Sequence, residues 1–281
     1  MIMKLFEKLL AIDRRIIFIL IFLSVAIPLL FVIGFKIEVT PEVENVYELV
    51  DSAPKGSHVL ISFDYGPSTK PEIQPMAEAL IRHCFRNDYK VICTALWPMG
   101  VQMCMEAIDE VSPDFPNKKY GIDFVNLGYK AGGLVTINLM GRDFCSAFPT
   151  DAANTPIDEL QIMDGIKNFK RLKFIIGLSA GAPGLKEWVQ VGHDAYGIPL
   201  AGGSTAVQVP SLSPYVNAQK QLTGLLGGLK GAAEYEVLIN HPGSATKGMD
   251  AQSIAHLVII IFIIIGNIGY FVSKKNEKKI S

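Results

Sequence analysis

The chain has 281 residues, 49% of them apolar and 19% charged, with a net charge of −1. That much apolar content fills a core with enough left over for membrane segments, and it excludes a disordered chain. A charge so near zero lacks the basic field that draws nucleic acid, so neither DNA nor RNA is an expected partner.

Residues 1–15 form a short basic segment carrying Lys4, Lys8, Arg14 and Arg15. The next twenty positions, "IIFILIFLSVAIPLLFVIGF" at 16–35, hold no charge. At about 1.5 Å per residue such a run reaches about 30 Å, so a first transmembrane helix is predicted. It reads as an uncleaved anchor, because it is longer than a signal peptide's apolar region and no small-x-small site follows. Pro28 inside it predicts a kink and not a boundary. Residues 36–57 read as an acidic juxtamembrane helix and linker. Thr40 and Pro41 are start signals, Val43, Val46, Tyr47 and Val50 recur at helical spacing, and "APKGS" breaks the pattern.

From His58 short apolar runs alternate with amphipathic helical stretches. "HVLISFDYG", "YKVICTALW", "YGIDFVNLGY", "KFIIGLSA" and "IPLAGGSTA" predict five strands. The intervening helices are "TKPEIQPMAEALIRHCFRND", with Thr69 and Glu72 at capping-box spacing, "PMGVQMCMEAIDEV", two candidates within residues 131–172, and "PGLKEWVQVGHDAYG". Strands this apolar in βα alternation predict a doubly wound, mainly parallel α/β sheet covered on both faces. The long connection before the fourth strand suggests the order 3-2-1-4-5, with a switch point between strands one and four. The α/β domain is expected over 58–250, including a Gly-rich helix at 221–238. There Gly224, Gly227, Gly228 and Gly231 make overlapping small-x-x-x-small pairs. Glycines cost about 1 kcal/mol each in a helix, so close packing must compensate, either on the domain's own sheet or against another subunit or membrane protein through Gly224, Gly228 and Gly231.

A second transmembrane helix is predicted at 251–272, with Asp250 as N-cap, polar His256 and Asn267 near its ends, and a basic tail at 273–281 carrying Lys274, Lys275, Lys278 and Lys279. Two transmembrane helices thus flank the sheet, with membrane lipid as a partner. Basic residues outside both spans place both termini in the cytoplasm and the domain outside it, a cytoplasmic domain being the alternative.

The candidate chemistry is concentrated at strand ends. Gly177 and Gly181 flank Ser179 in G-x-S-x-G, the spacing of a hydrolase elbow. Such a serine needs a base, and Asp64 or His193 are the candidates; the alternative is that small residues let a strand turn tightly into a helix. In open α/β sheets ligands bind beyond the carboxyl ends of the strands, which marks Asp64, Tyr65, Gly66, Tyr129, Lys130, Ser204 and Thr205 as candidate ligand-binding residues. No G-x-G-x-x-G, P-loop or paired-histidine metal spacing is present, so no cofactor and no metal are expected. Cys84, Cys93, Cys104 and Cys145 lack disulfide-scaffold or C-x-x-C spacing and are expected as buried thiols. Two functions are compatible with this pattern: a membrane-anchored, non-catalytic ligand-binding or scaffold subunit, or a membrane-anchored serine hydrolase using Ser179.

Overall fold

The computed structural model describes residues 13–31, 33–217 and 221–280. Lys4 and Lys8 lie outside them, as do the side chains of Lys274, Lys275, Lys278 and Lys279. Residues Ile37–Ala245 form one compact unit, and the flanking residues form another.

Within Ile37–Ala245 the strands are β1 (His58–Asp64), β2 (Lys90–Ala95), β3 (Phe124–Tyr129), β4 (Leu172–Ser179), β5 (Leu200–Ser204) and β6 (Leu225–Gly227). All pairings are parallel and the order is β3-β2-β1-β4-β5-β6. The order of the first five is the expected one, and the switch point falls between β1 and β4. A sixth strand corrects the five-strand expectation. It comes from the Gly-rich segment, which is helical only over Gly228–Leu238. Leu225 and Leu226 are buried and pair with β5, and a Cβ at Gly224 would run into the Glu42 carbonyl and Val46, so the start of this stretch also packs closely on the acidic helix. Gly231 in turn lies against the Leu226 backbone, and Gly228 against Ala206 at a φ of +58°. These close approaches are filled from within the chain.

The α-helices, numbered in chain order, are α1 (Arg14–Leu30), α2 (Pro41–Asp51), α3 (Lys70–Arg86), α4 (Gly100–Val111), α5 (Leu134–Arg142), α6 (Phe144–Ala147), α7 (Leu185–Trp188), α8 (Val209–Asn217), α9 (Gly228–Leu238) and α10 (Ser244–Ile280). α2 starts at Pro41 as its signals predict. Thr40 makes no side-chain cap, and instead gives its N–H and hydroxyl to the Glu234 carboxylate of α9. The Thr69–Glu72 capping box does not form; Glu72 accepts the Ala206 N–H, tying α3 to the turn after β5. α7 continues into a wider π-helical turn, Val189–His193. Leu60, Ile92, Val125, Phe144, Trp188 and Leu200 belong to one continuous core on the face covered by α5, α6 and α7. Cys84, Cys93 and Cys104 are buried and Cys145 is exposed, all as free thiols.

In the flanking unit α1 has 17 residues and ends at Leu30, two residues after Pro28, where a span to residue 35 was expected. At about 26 Å it is short for a bilayer core. Only one helix among the described residues, Ser244–Phe271, is long and apolar enough to cross a membrane, which corrects the expectation of two. α10 begins six residues before Asp250, so Asp250 is not its N-cap. Its buried carboxylate instead accepts the backbone N–H groups of Ile33, Gly34 and Phe35 at 2.9–3.2 Å, with Gly34 at a φ of +74°. Donors engaged this way are withdrawn from helix over residues 33–35.

Candidate functional site

Cα partners across β1, β4 and β5 put Asp64 beside Ser179 and Ser179 beside Ser204. Neighbouring residues of parallel strands project to one face, so these three form a row at the carboxyl ends of the central strands. All three are buried. Small residues are required there because the chain folds back tightly: a Cβ on Gly177 would meet Leu185 at 2.8 Å, and one on Gly184 would overlap Ser179 Oγ.

Asp64 accepts from Ser62 Oγ at 2.8 and 2.9 Å, from the Leu96 N–H at 2.7 Å and from Trp188 Nε1 at 3.0 Å. Burial raises its pKa from 3.8 to about 7 against the pull of those donors, and the nearby Glu187 charge adds to the rise. Asp64 thereby joins the ends of β1 and β2 to α7.

Ser179 Oγ donates to the Gly181 carbonyl at 3.2 Å and accepts from the Leu185 N–H at 3.3 Å. These bonds shape the turn into α7. The hydroxyl has no hydrogen bond to Asp64, whose oxygens face Ser62, Leu96 and Trp188, and none to any histidine. After α7 the chain runs back along the sheet, with Gly192 against Ile175 on β4. Ile175 lies four steps before Ser179 along the strand, about 13 Å, which takes His193 out of reach. A base, an orienting acid and a free nucleophile are therefore not assembled among the described residues.

Beyond this row lies a cleft of about 430 Å³, lined by the turn after β4 (Ser179, Gly181, Ala182), by α7 (Leu185, Lys186, Glu187), and by Val207, Gln208, Ser211 and Leu212 after β5. Gln208 Nε2 donates to the Ala180 carbonyl at 2.6 Å, Trp97 Nε1 donates to the Pro183 carbonyl at 2.8 Å, and Glu187 accepts the Gly184 N–H at 2.7 Å, so three side chains brace the turn. Leu185, Val207 and Leu212 give the cleft apolar walls, and Lys186, Glu187, Gln208 and Ser211 give it polar ones.

Of the residues picked from sequence, Ser179 alone lines this cleft. Asp64, Ser204 and Thr205 are buried beside it, Ser204 donating to the Ser179 carbonyl at 2.8 Å. Tyr65 points to the α3 side, where its hydroxyl donates to Gln74 at 2.8 Å, and Gly66 faces Met99. Tyr129 is exposed at the end of β3, followed by Lys130, whose N–H donates to the Ala95 carbonyl. The structure does not bring these last four to the cleft. Gln208, Ser211, Lys186 and Val207 were not singled out. The available signal was the strand order itself, which sets the turns after β4 and β5 side by side. No group of three or more His, Cys, Asp or Glu side chains that could hold a metal ion occurs among the described residues. No protein-family model matches the chain, and neither the curated proteins nor the solved structures yield a match.

Proposed function

We propose that this chain is a membrane-tethered, non-catalytic binding module, whose cleft beyond β4 and β5 receives a small molecule. The observation that carries the reading is the braced cleft at the carboxyl ends of an open parallel sheet, beside its switch point, where such folds bind ligands. Support for a non-catalytic role comes from Ser179, whose hydroxyl is committed to its own turn. The tether is Ser244–Phe271. The lysines after residue 272 support a cytoplasmic side beyond that helix and an extracytoplasmic Ile37–Ala245.

The test is to extract the protein in mild detergent, release bound small molecules by denaturation and identify them by mass spectrometry, beside a Ser211→Trp variant that fills the cleft. A compound retained by the native chain and lost from the variant supports the reading. A cleft that carries nothing, with a melting temperature unmoved by a metabolite library, refutes it. Protease added to intact cells tests the sidedness: digestion of the domain is expected, and protection until the bilayer is breached reverses it.

A further inference from the structure

The apolar helix Ser244–Phe271 carries polar side chains at His256 and Asn267, eleven residues apart. At about 100° per residue, eleven steps come to three turns and about 20°, so the two lie on one face. His256, Ile260, Ile263 and Asn267 continue that face at spacings of four, three and four, the rhythm of a left-handed helix pair. All four are exposed, Ile260 at 52% and Ile263 at 56%, with α1 present in the same unit. The chain's own first helix therefore does not cover them. Asn267 makes no side-chain hydrogen bond to any described residue, and Gly266 beside it has open space where a side chain would stand.

A primary amide in hydrocarbon needs both a donor and an acceptor partner. We propose that this face pairs with the same face of a second copy of the chain, Asn267 bonding Asn267 across a twofold axis. Every copy inserts in the same direction, so in a parallel pair each residue meets its counterpart at its own depth. A second copy thus always presents a complementary amide opposite Asn267 and an imidazole opposite His256, and no other partner is bound to do so. The amide is also self-complementary, each giving one N–H and accepting one. The pairing goes beyond the cleft, and it rests on Ser244–Phe271 being a span, which retention in the membrane pellet after alkaline carbonate washing checks separately.

The experiment uses full-length protein reconstituted in phosphatidylcholine vesicles at several protein-to-lipid ratios, with Cys145→Ser removing the exposed native thiol. Ile263→Cys on the proposed face is expected to crosslink into a dimer under mild oxidation, and Ile265→Cys, about 200° away around the helix, is not. By energy transfer between labelled copies, Asn267→Leu is expected to lower the association constant about tenfold, and Asn267→Gln to keep it within about threefold of the native value. Monomers at every ratio, equal crosslinking from both faces, or an association constant indifferent to Asn267→Leu each overturn the proposal. So does capture of a different protein by Ile263→Cys in native membranes where the purified chain fails to pair.

Discussion

Replacing Asp64 by asparagine should change stability with a sign that depends on pH. An unfolded Asp64 releases its proton near the ordinary 3.8, whereas the folded chain holds it to about 7. Between those values the folded state binds the additional proton, so stability falls as pH rises. Three pH units at about 1.4 kcal/mol each make a loss of about 4 kcal/mol, complete above pH 7. The substituted amide does not titrate and avoids this loss. It has its own cost: its carbonyl oxygen can serve the Leu96 N–H and its NH₂ can donate to Ser62, but Trp188 Nε1 is left without an acceptor. A buried donor so stranded costs about 1–3 kcal/mol at any pH. Asp64→Asn should therefore be less stable than the native chain by about 1–3 kcal/mol at pH 4, and more stable by a similar amount at pH 8, with the curves crossing near pH 5–6. Urea unfolding of the full chain in detergent, followed by tryptophan fluorescence across that range, measures both curves, and Trp188 reports from beside the substituted group. A difference between the two proteins that stays constant with pH would refute the assignment of the elevated pKa to Asp64.

Gly100→Ala should prevent stable folding or cost about 3 kcal/mol or more, since its Cβ would overlap the Phe63 carbonyl oxygen at the head of α4; circular dichroism melting checks it, and a native melting temperature contradicts the packing described. Ser179→Ala should cost about 1–2 kcal/mol, through the stranded Leu185 N–H, and the same melting measurement reads it. The native chain should resist a fluorophosphonate probe, and Ser179-dependent labelling would revive the hydrolase reading.

The central sheet was legible because each of its strands is an apolar run long enough to be bounded by turn residues, as "HVLISFD" and "KFIIGLS" are. β6 was not, because three residues between glycines carry no period of their own; pairing with β5 holds them extended, and the α2 surface that receives Gly224 is far away in sequence. The adjacency of Asp64 and Ser179 follows from strand order alone and was readable. Their lack of contact was not, since it depends on Trp188, 124 residues from Asp64, occupying the carboxylate. Likewise, no local pattern marks Gln208 or Ser211; they matter only because two turns from separate βα units face each other. The extended backbone over residues 33–35 was hidden for the same reason: hydropathy sees an unbroken run to Phe35, and the acceptor that withdraws those donors from helix is a carboxylate more than two hundred positions later.

That carboxylate has a topological consequence. By gripping the backbone at Ile33, Gly34 and Phe35, Asp250 brings the point where the polypeptide enters Ile37–Ala245 alongside the point where it leaves. The α/β body is thus an insertion between two chain segments that one carboxylate joins. Closing so long a loop is an entropic cost that grows only with the logarithm of its length, so the junction tolerates insertions of other sizes.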